Sequence, residues 1–181
     1  MKNKKFTTKH ITRIGILASI SAVLLFINFP IGFTPFYKID FADIPCLLCG
    51  FALGPISGSI CSVIAIVLNI ILEGGSETGF VGEFAKLLMS LFFVLTSSLI
   101  YKKYHTKKGA MISLLVGVLV MAIISSLLNY YVLLPLYGLS DINFSFILLY
   151  TFPFNIVKGL INGLIIILIY KRISPLLKDV Y

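Results

Sequence analysis

Long apolar runs separated by short polar connections recur along the whole chain. Read at about 20 residues per membrane crossing, the pattern predicts spans at 14–29, 44–54, 56–72, 83–101, 109–134 and 146–170. The expected fold class is therefore all-α: an integral membrane protein of six transmembrane helices forming a single membrane domain, 1–181, with a short second helix. The first run is followed by further runs without a small-residue cleavage pattern, so a signal peptide does not account for it. The spans fill the chain and leave no room for a separate soluble domain, so any ATPase or enzyme module is expected on another polypeptide.

Small residues punctuate the runs. Gly50, Gly54 and Gly58 recur every four residues around the junction of the second and third spans, with Pro55 suited to a first helical turn, and predict close packing there. In the first span Gly15 and Ser19 are four apart, as are Ala18 and Ala22. Such spacing lets helices approach closely in lipid, and taken alone it favours packing within the chain over docking of a partner. Glu83 and Lys86, three apart, are placed to pair along one helix. Pro153 either kinks the last span or starts its regular part.

Charge orients the spans. Of 15 basic residues, 12 lie in three short segments: before the first span, between 102 and 108, and after the last span. The positive-inside rule puts those segments, and with them both termini, in the cytoplasm. Six of the seven acids, Asp40, Asp43, Glu73, Glu77, Glu83 and Asp141, fall in or beside the other connections. A net charge of +8 distributed in this way does not describe a nucleic-acid patch. Cys46, Cys49 and Cys61 lie in apolar runs and read as small buried side chains; His10 and His105 lie in basic segments and read as surface residues. No GxxxxGK[ST] phosphate loop, Ser/His/Asp arrangement or metal-ligand spacing is present, so neither catalysis nor a bound metal or cofactor is expected.

The last span carries the chemistry. At about 100° per residue Asn155, Lys158, Gly159 and Asn162 share one stripe of that helix. A lysine well inside hydrocarbon costs roughly 2.5–3.5 kcal/mol on insertion scales. The stripe therefore faces something polar: a neighbouring helix, a headgroup reached by snorkelling, or a ligand. Asn129 lies in the outer half of the fifth span, and the loop 30–43 mixes Phe33, Phe36, Tyr37 and Phe41 with Lys38, Asp40 and Asp43. That loop reads either as an interfacial belt or as a lid. Convergence of Asn129, Asn155 and Lys158 beneath it would suit a planar ligand edge with alternating carbonyls and a ring N–H, such as a flavin or another fused heterocycle.

In combination, several stretches resemble the riboflavin-specific S components of energy-coupling-factor (ECF) vitamin transporters. They are 36–45 (Phe-Tyr-Lys-Ile-Asp-Phe-Ala-Asp-Ile-Pro) with 50–55 (Gly-Phe-Ala-Leu-Gly-Pro), 79–85 (Gly-Phe-Val-Gly-Glu-Phe-Ala), 128–138 (Leu-Asn-Tyr-Tyr-Val-Leu-Leu-Pro-Leu-Tyr-Gly) and 153–159 (Pro-Phe-Asn-Ile-Val-Lys-Gly). The resemblance implies a six-helix subunit of the bacterial cell membrane that binds riboflavin from outside, as transported substrate rather than cofactor. It would dock on a transmembrane coupling subunit served by two ATPase subunits. It implies that Asn129, Asn155 and Lys158 hold the polar edge of the flavin and that Phe36, Tyr37, Lys38, Ile39 and Asp40 cover it. It also assigns Ala18 and Ala22 to the docking surface, against the preference drawn from spacing. Lys86 departs from the asparagine expected in the Gly-Glu-Phe-Ala stretch. The alternatives are a carrier for another vitamin or heterocycle, and a membrane enzyme or assembly factor without a transport role.

Overall fold

The computed structural model describes residues 7–30, 37–75, 79–138 and 143–178, with side chains beyond 169 described only at Arg172. Helix α1, Thr8–Phe26, leads into an antiparallel hairpin of β1, Asn28–Pro30, and β2, Lys38–Asp40. The hairpin pairs Asn28 with Asp40, Phe29 with Ile39 and Pro30 with Lys38. Then follow α2, Asp43–Leu53, α3, Pro55–Leu72, and α4, Val81–Lys103. Helix α5, Lys107–Leu128, runs on through a π-helical turn, Asn129–Leu133, and a last turn, Leu134–Leu136. The final rod opens with a turn at Phe144–Phe146, passes through a second π-helical turn, Ile147–Thr151, and continues as α6, Phe152–Lys178.

Five of these rods are long and apolar enough to cross a membrane, and α2, at 11 residues, is shorter. The fold is all-helical, as expected, with one small addition. Helix α1 stops at Phe26, because Asn28–Pro30 is extended and pairs with β2. The two strands are three residues long, and the Lys-Ile-Asp alternation of β2 is too brief to stand out from a loop.

The helices pack around a core in which Leu47, Phe51, Cys49, Cys61, Phe93 and Val94 are buried. Large apolar side chains such as Ile16, Ile56, Leu99 and Leu119 cover the outside, the reverse of a water-soluble surface and the distribution lipid requires. The glycine periodicity at the α2–α3 junction is used as the sequence suggests. Gly54 has φ +102°, which lets the chain reverse directly into Pro55. A Cβ on Gly58 would lie 2.7 Å from the Cα of Gly50 and 2.8 Å from a Val94 methyl. All three cysteines are buried free thiols, and no group of ligands suited to a metal occurs among the described residues.

Ala18 and Ala22 are 0% and 1% exposed, packed inward where α1 meets α2 and α3. Their methyl groups pack against the chain's own helices, where small side chains allow close approach. At Gly58 a new methyl would meet backbone, which cannot rotate away. Gly58→Ala should therefore lower stability by about 1–3 kcal/mol, the usual cost of overpacking. Thermal unfolding in detergent measures this, and Gly15→Ala, where a methyl meets nothing within 4 Å, is the matched control.

Candidate functional site

The polar stripe of α6 faces inward. Asn155 is 3% exposed and Asn162 0%, Gly159 is buried between them, and the Lys158 side chain is 12% exposed. What meets Lys158 is Asp40, the last residue of β2: Lys158 Nζ lies 3.0 Å from Asp40 Oδ2. Lys86 Nζ, from the first turns of α4, lies 3.1 Å from the same oxygen. The three basic residues outside the terminal and loop clusters are Lys38, Lys86 and Lys158, so two of these three converge on one carboxylate. Asp43, the first residue of α2 and also buried, faces the same pair of lysines. Two acids and two bases thus meet beneath the hairpin.

Every polar atom of Asp40 described here is used. Oδ1 accepts from the backbone N–H of Ala42 at 3.2 Å, shaping the turn into α2, and the backbone carbonyl accepts from Asn162 Nδ2 at 3.3 Å. Burial alone would raise the pKa of this carboxyl, but the two ammonium groups beside it outweigh burial and hold it at about 2. The hairpin is therefore bound to α6 through an ion pair and a backbone hydrogen bond, and the residue before β2 adds two further contacts to the same rod. Tyr37 places its hydroxyl 2.8 Å from Thr151 Oγ1 and its ring 4.8 Å from that of Phe154.

The asparagines sit beside π-helical turns, which widen the helix and re-aim side chains and are frequent at functional sites. Asn129 opens the first of them and donates Nδ2 to the Ser125 carbonyl at 2.8 Å. Asn155, one turn beyond the second, donates to the Thr151 carbonyl at 2.9 Å. The two π turns pack against each other. Each of these bonds occupies one amide N–H, and the chemistry of a carboxamide leaves a further donor and acceptor per residue. Beside Asp43 and Lys86 is a small, mostly apolar recess of about 10 Å³, lined also by Leu25, Cys46, Ile66 and Ser90, the size of a single water site.

The placement of the sequence candidates is uneven. Lys158, Asp40, Ile39 and Tyr37 are brought together, with Ile39 4% exposed beneath the hairpin. Asn155 lies on the same helix face, and Asn129 lies on the adjacent rod. Lys38 points to solvent or headgroups, being exposed, and Phe36 lies outside the described residues. Lys86 was expected to pair along its own helix with Glu83; its partner across the bundle is Asp40. Thr151, Phe154, Asp43 and Asn162 join the cluster without having been singled out as contacts. Asn162 carried a signal in its place on the polar stripe, and Asp43 in the charged loop 30–43.

Residues 9–170 match the family described as ECF transporter, substrate-specific component. The chain is 40% identical over 180 residues to the riboflavin transporter RibU of Staphylococcus aureus (strain TCH60), covering 95% of this chain and 94% of that protein. It is 32% identical over 176 residues to the riboflavin transporter FmnP of Bacillus subtilis (strain 168), covering 92% and 93%. A solved structure described as "Structure and mechanism of the S component of a bacterial ECF transporter" superposes with a TM-score of 0.82 at 38% identity, covering 94% of this chain and 98% of that one. With helices of membrane-crossing length, a buried polar face on α6 and a match running almost from end to end, this chain belongs to the substrate-specific components of ECF transporters.

Proposed function

We propose that the chain captures riboflavin from outside a bacterial cell and carries it inward as the binding subunit of an ECF importer. In this reading residues 1–181 form one membrane domain that crosses the plasma membrane six times, α2 being the short crossing, with both termini in the cytoplasm. The chain supplies recognition. Energy comes from two ATPase subunits acting through a transmembrane coupling subunit, consistent with a sequence that has no phosphate-binding loop.

The observation that carries this reading is the junction of hairpin and α6 at Lys158. An ammonium has three N–H donors, and Asp40 takes one, so the remaining two can serve carbonyl oxygens on the edge of an isoalloxazine. Asn155 and Asn129 add carboxamides able both to donate and to accept, matching the alternation of C=O and ring N–H along that edge. Tyr37 and Phe154 supply aromatic faces for the ring system. Asp40 contacts the lysine and not the vitamin in this scheme. It keeps Lys158 charged in a desolvated setting and ties the position of the hairpin to the residue the ligand engages, so that ligand and cover are held by the same cation.

Lys158→Ala should weaken riboflavin binding roughly 10- to 150-fold, the equivalent of losing a charge-assisted hydrogen bond of about 1.5–3 kcal/mol. Lys38→Ala, on an exposed side chain, should leave affinity within about twofold, since substitutions at exposed positions stay within about 0.5 kcal/mol. Quenching of flavin fluorescence on titration with purified protein reads both, and equal affinities for Lys158→Ala and the parent chain would refute the assignment.

Asp40→Asn leaves two cations facing each other without their carboxylate. Breaking a buried ion pair from one side costs about 3–5 kcal/mol, and the partial exposure of Lys86, 30%, puts the expectation at the lower end. The acid dependence has a definite sign. The folded-state pKa, about 2, lies below the ordinary 3.8, so the stabilisation is complete above pH 3.8 and is lost as pH falls towards 2. Melting temperatures recorded between pH 5 and 2 should fall more steeply for the parent chain than for Asp40→Asn.

A further inference from the structure

Helices α5 and α6 touch closely at one level and part at the next. At Gly159 a Cβ would lie 2.8 Å from a Val118 methyl and 3.0 Å from Met121 Cε, whereas at Gly163, one turn on, the nearest atom, Leu114 Cβ, would be 3.7 Å away. The divergence opens an apolar groove of about 260 Å³. Leu114 and Gly163 form its floor, and Met111, Leu115 and Leu164, each more than 40% exposed, form its walls. From Gly159 to Ile167 it follows α6 for about 12 Å at 1.5 Å per residue, which fits within one leaflet of a hydrocarbon layer about 30 Å thick.

The mouth of the groove is basic. Met111 is one turn from Lys107 and Lys108, which are exposed in the first turn of α5, and Arg172 is exposed at the same end of α6. The positive pole of the helix dipole is the unfavourable end for cations. Helix α4 ends with Lys102 and Lys103 in its last turn, the favourable arrangement, whereas α5 begins with two lysines and no acid in its first turn. Thr106 satisfies the N–H of Gly109, and the exposed Lys107 and Lys108 add two positive charges at that helix start. An anion at this point would relieve the like-charge crowding, and an apolar channel leads directly away from it.

We infer that the α5–α6 groove is a binding site for an anionic membrane phospholipid, its phosphate held by Lys107, Lys108 and the start of α5, and one acyl chain lying on Gly163 and Leu114. Charge complementarity selects the head group, and the groove selects an acyl chain over a free phosphate. The bound lipid would fasten the α5–α6 seam at the end opposite the hairpin.

Native mass spectrometry and thermal unfolding of the full chain in detergent, titrated with dioleoyl phosphatidylglycerol or dioleoyl phosphatidylcholine, test this. The parent chain should retain one phosphatidylglycerol at least tenfold more tightly than phosphatidylcholine, and dihexanoyl phosphatidylglycerol should bind at least tenfold more weakly than the long-chain lipid. Gly163→Leu, which fills the groove where the present clearance is 3.7 Å, and Lys107→Ala/Lys108→Ala should each abolish the preference. Leu115→Trp, narrowing the groove from its exposed wall, gives the same readout should Gly163→Leu fail to fold, and retained riboflavin binding certifies the fold of each variant. Equal retention of the two long-chain lipids by the parent chain, or an undiminished phosphatidylglycerol preference in the filled groove, overturns the inference.

Discussion

A carboxylate shared by two lysines holds the hairpin end of this molecule together. Asp40 comes from a three-residue strand, Lys86 from α4 and Lys158 from α6, so a single side chain ties together three parts of the chain far apart in sequence. In hydrocarbon neither lysine is tolerable alone, and Asp40 is almost wholly buried. Desolvation of each group is compensated only while the others stay in place, which makes the position of the hairpin conditional on the positions of both helices. A hydrophobic contact would hold a loop with less directional demand, since apolar burial is roughly proportional to area and insensitive to angle. The ion pairs and the Asn162 bond to the Asp40 backbone specify where the hairpin sits as well as that it is held.

The register of the hairpin makes this specification sharp. In β2 successive side chains alternate between faces, yet both Ile39 and Asp40 are buried, because the strand ends at Asp40 and the chain turns there into α2. Asp40 Oδ1 is bonded to Ala42 N–H, so the turn itself orients the carboxylate. A one-residue slip would carry the exposed Lys38 side towards the lysines and replace attraction with repulsion.

Much of this architecture was legible in the residues, and the exceptions share a cause. Hydropathy alone marks the helices because lipid imposes one rule on every exposed position. The stripe of Asn155, Lys158, Gly159 and Asn162 was legible because helical period converts spacing into a face. Its partner was not legible, since Asp40 lies 118 residues from Lys158, and no local pattern encodes a contact at that separation. Lys86 illustrates the same limit: Glu83 was the acid visible nearby, and tertiary packing brings Asp40 to it as well. Ala18 and Ala22 show the converse. Small-residue spacing reveals that something comes close, but it does not reveal whether the neighbour belongs to the same chain. The π turns at Asn129–Leu133 and Ile147–Thr151 leave no compositional trace, because the extra residue in each turn is accommodated by packing rather than by propensity.

Lys158 and Gly159 are adjacent in sequence and face different neighbours about 100° apart around α6. One side chain reaches the hairpin, and the other position, having none, lets α5 approach until Val118 and Met121 leave no room for a methyl. Rotation of α6 large enough to release Lys158 from Asp40 would therefore drive the neighbouring backbone positions of α6 against α5, unless the two helices separated. The position of the hairpin and the packing of the α5–α6 seam are consequently coupled through the geometry of two consecutive residues. A force that holds the seam together, wherever along its length it acts, resists release of the hairpin.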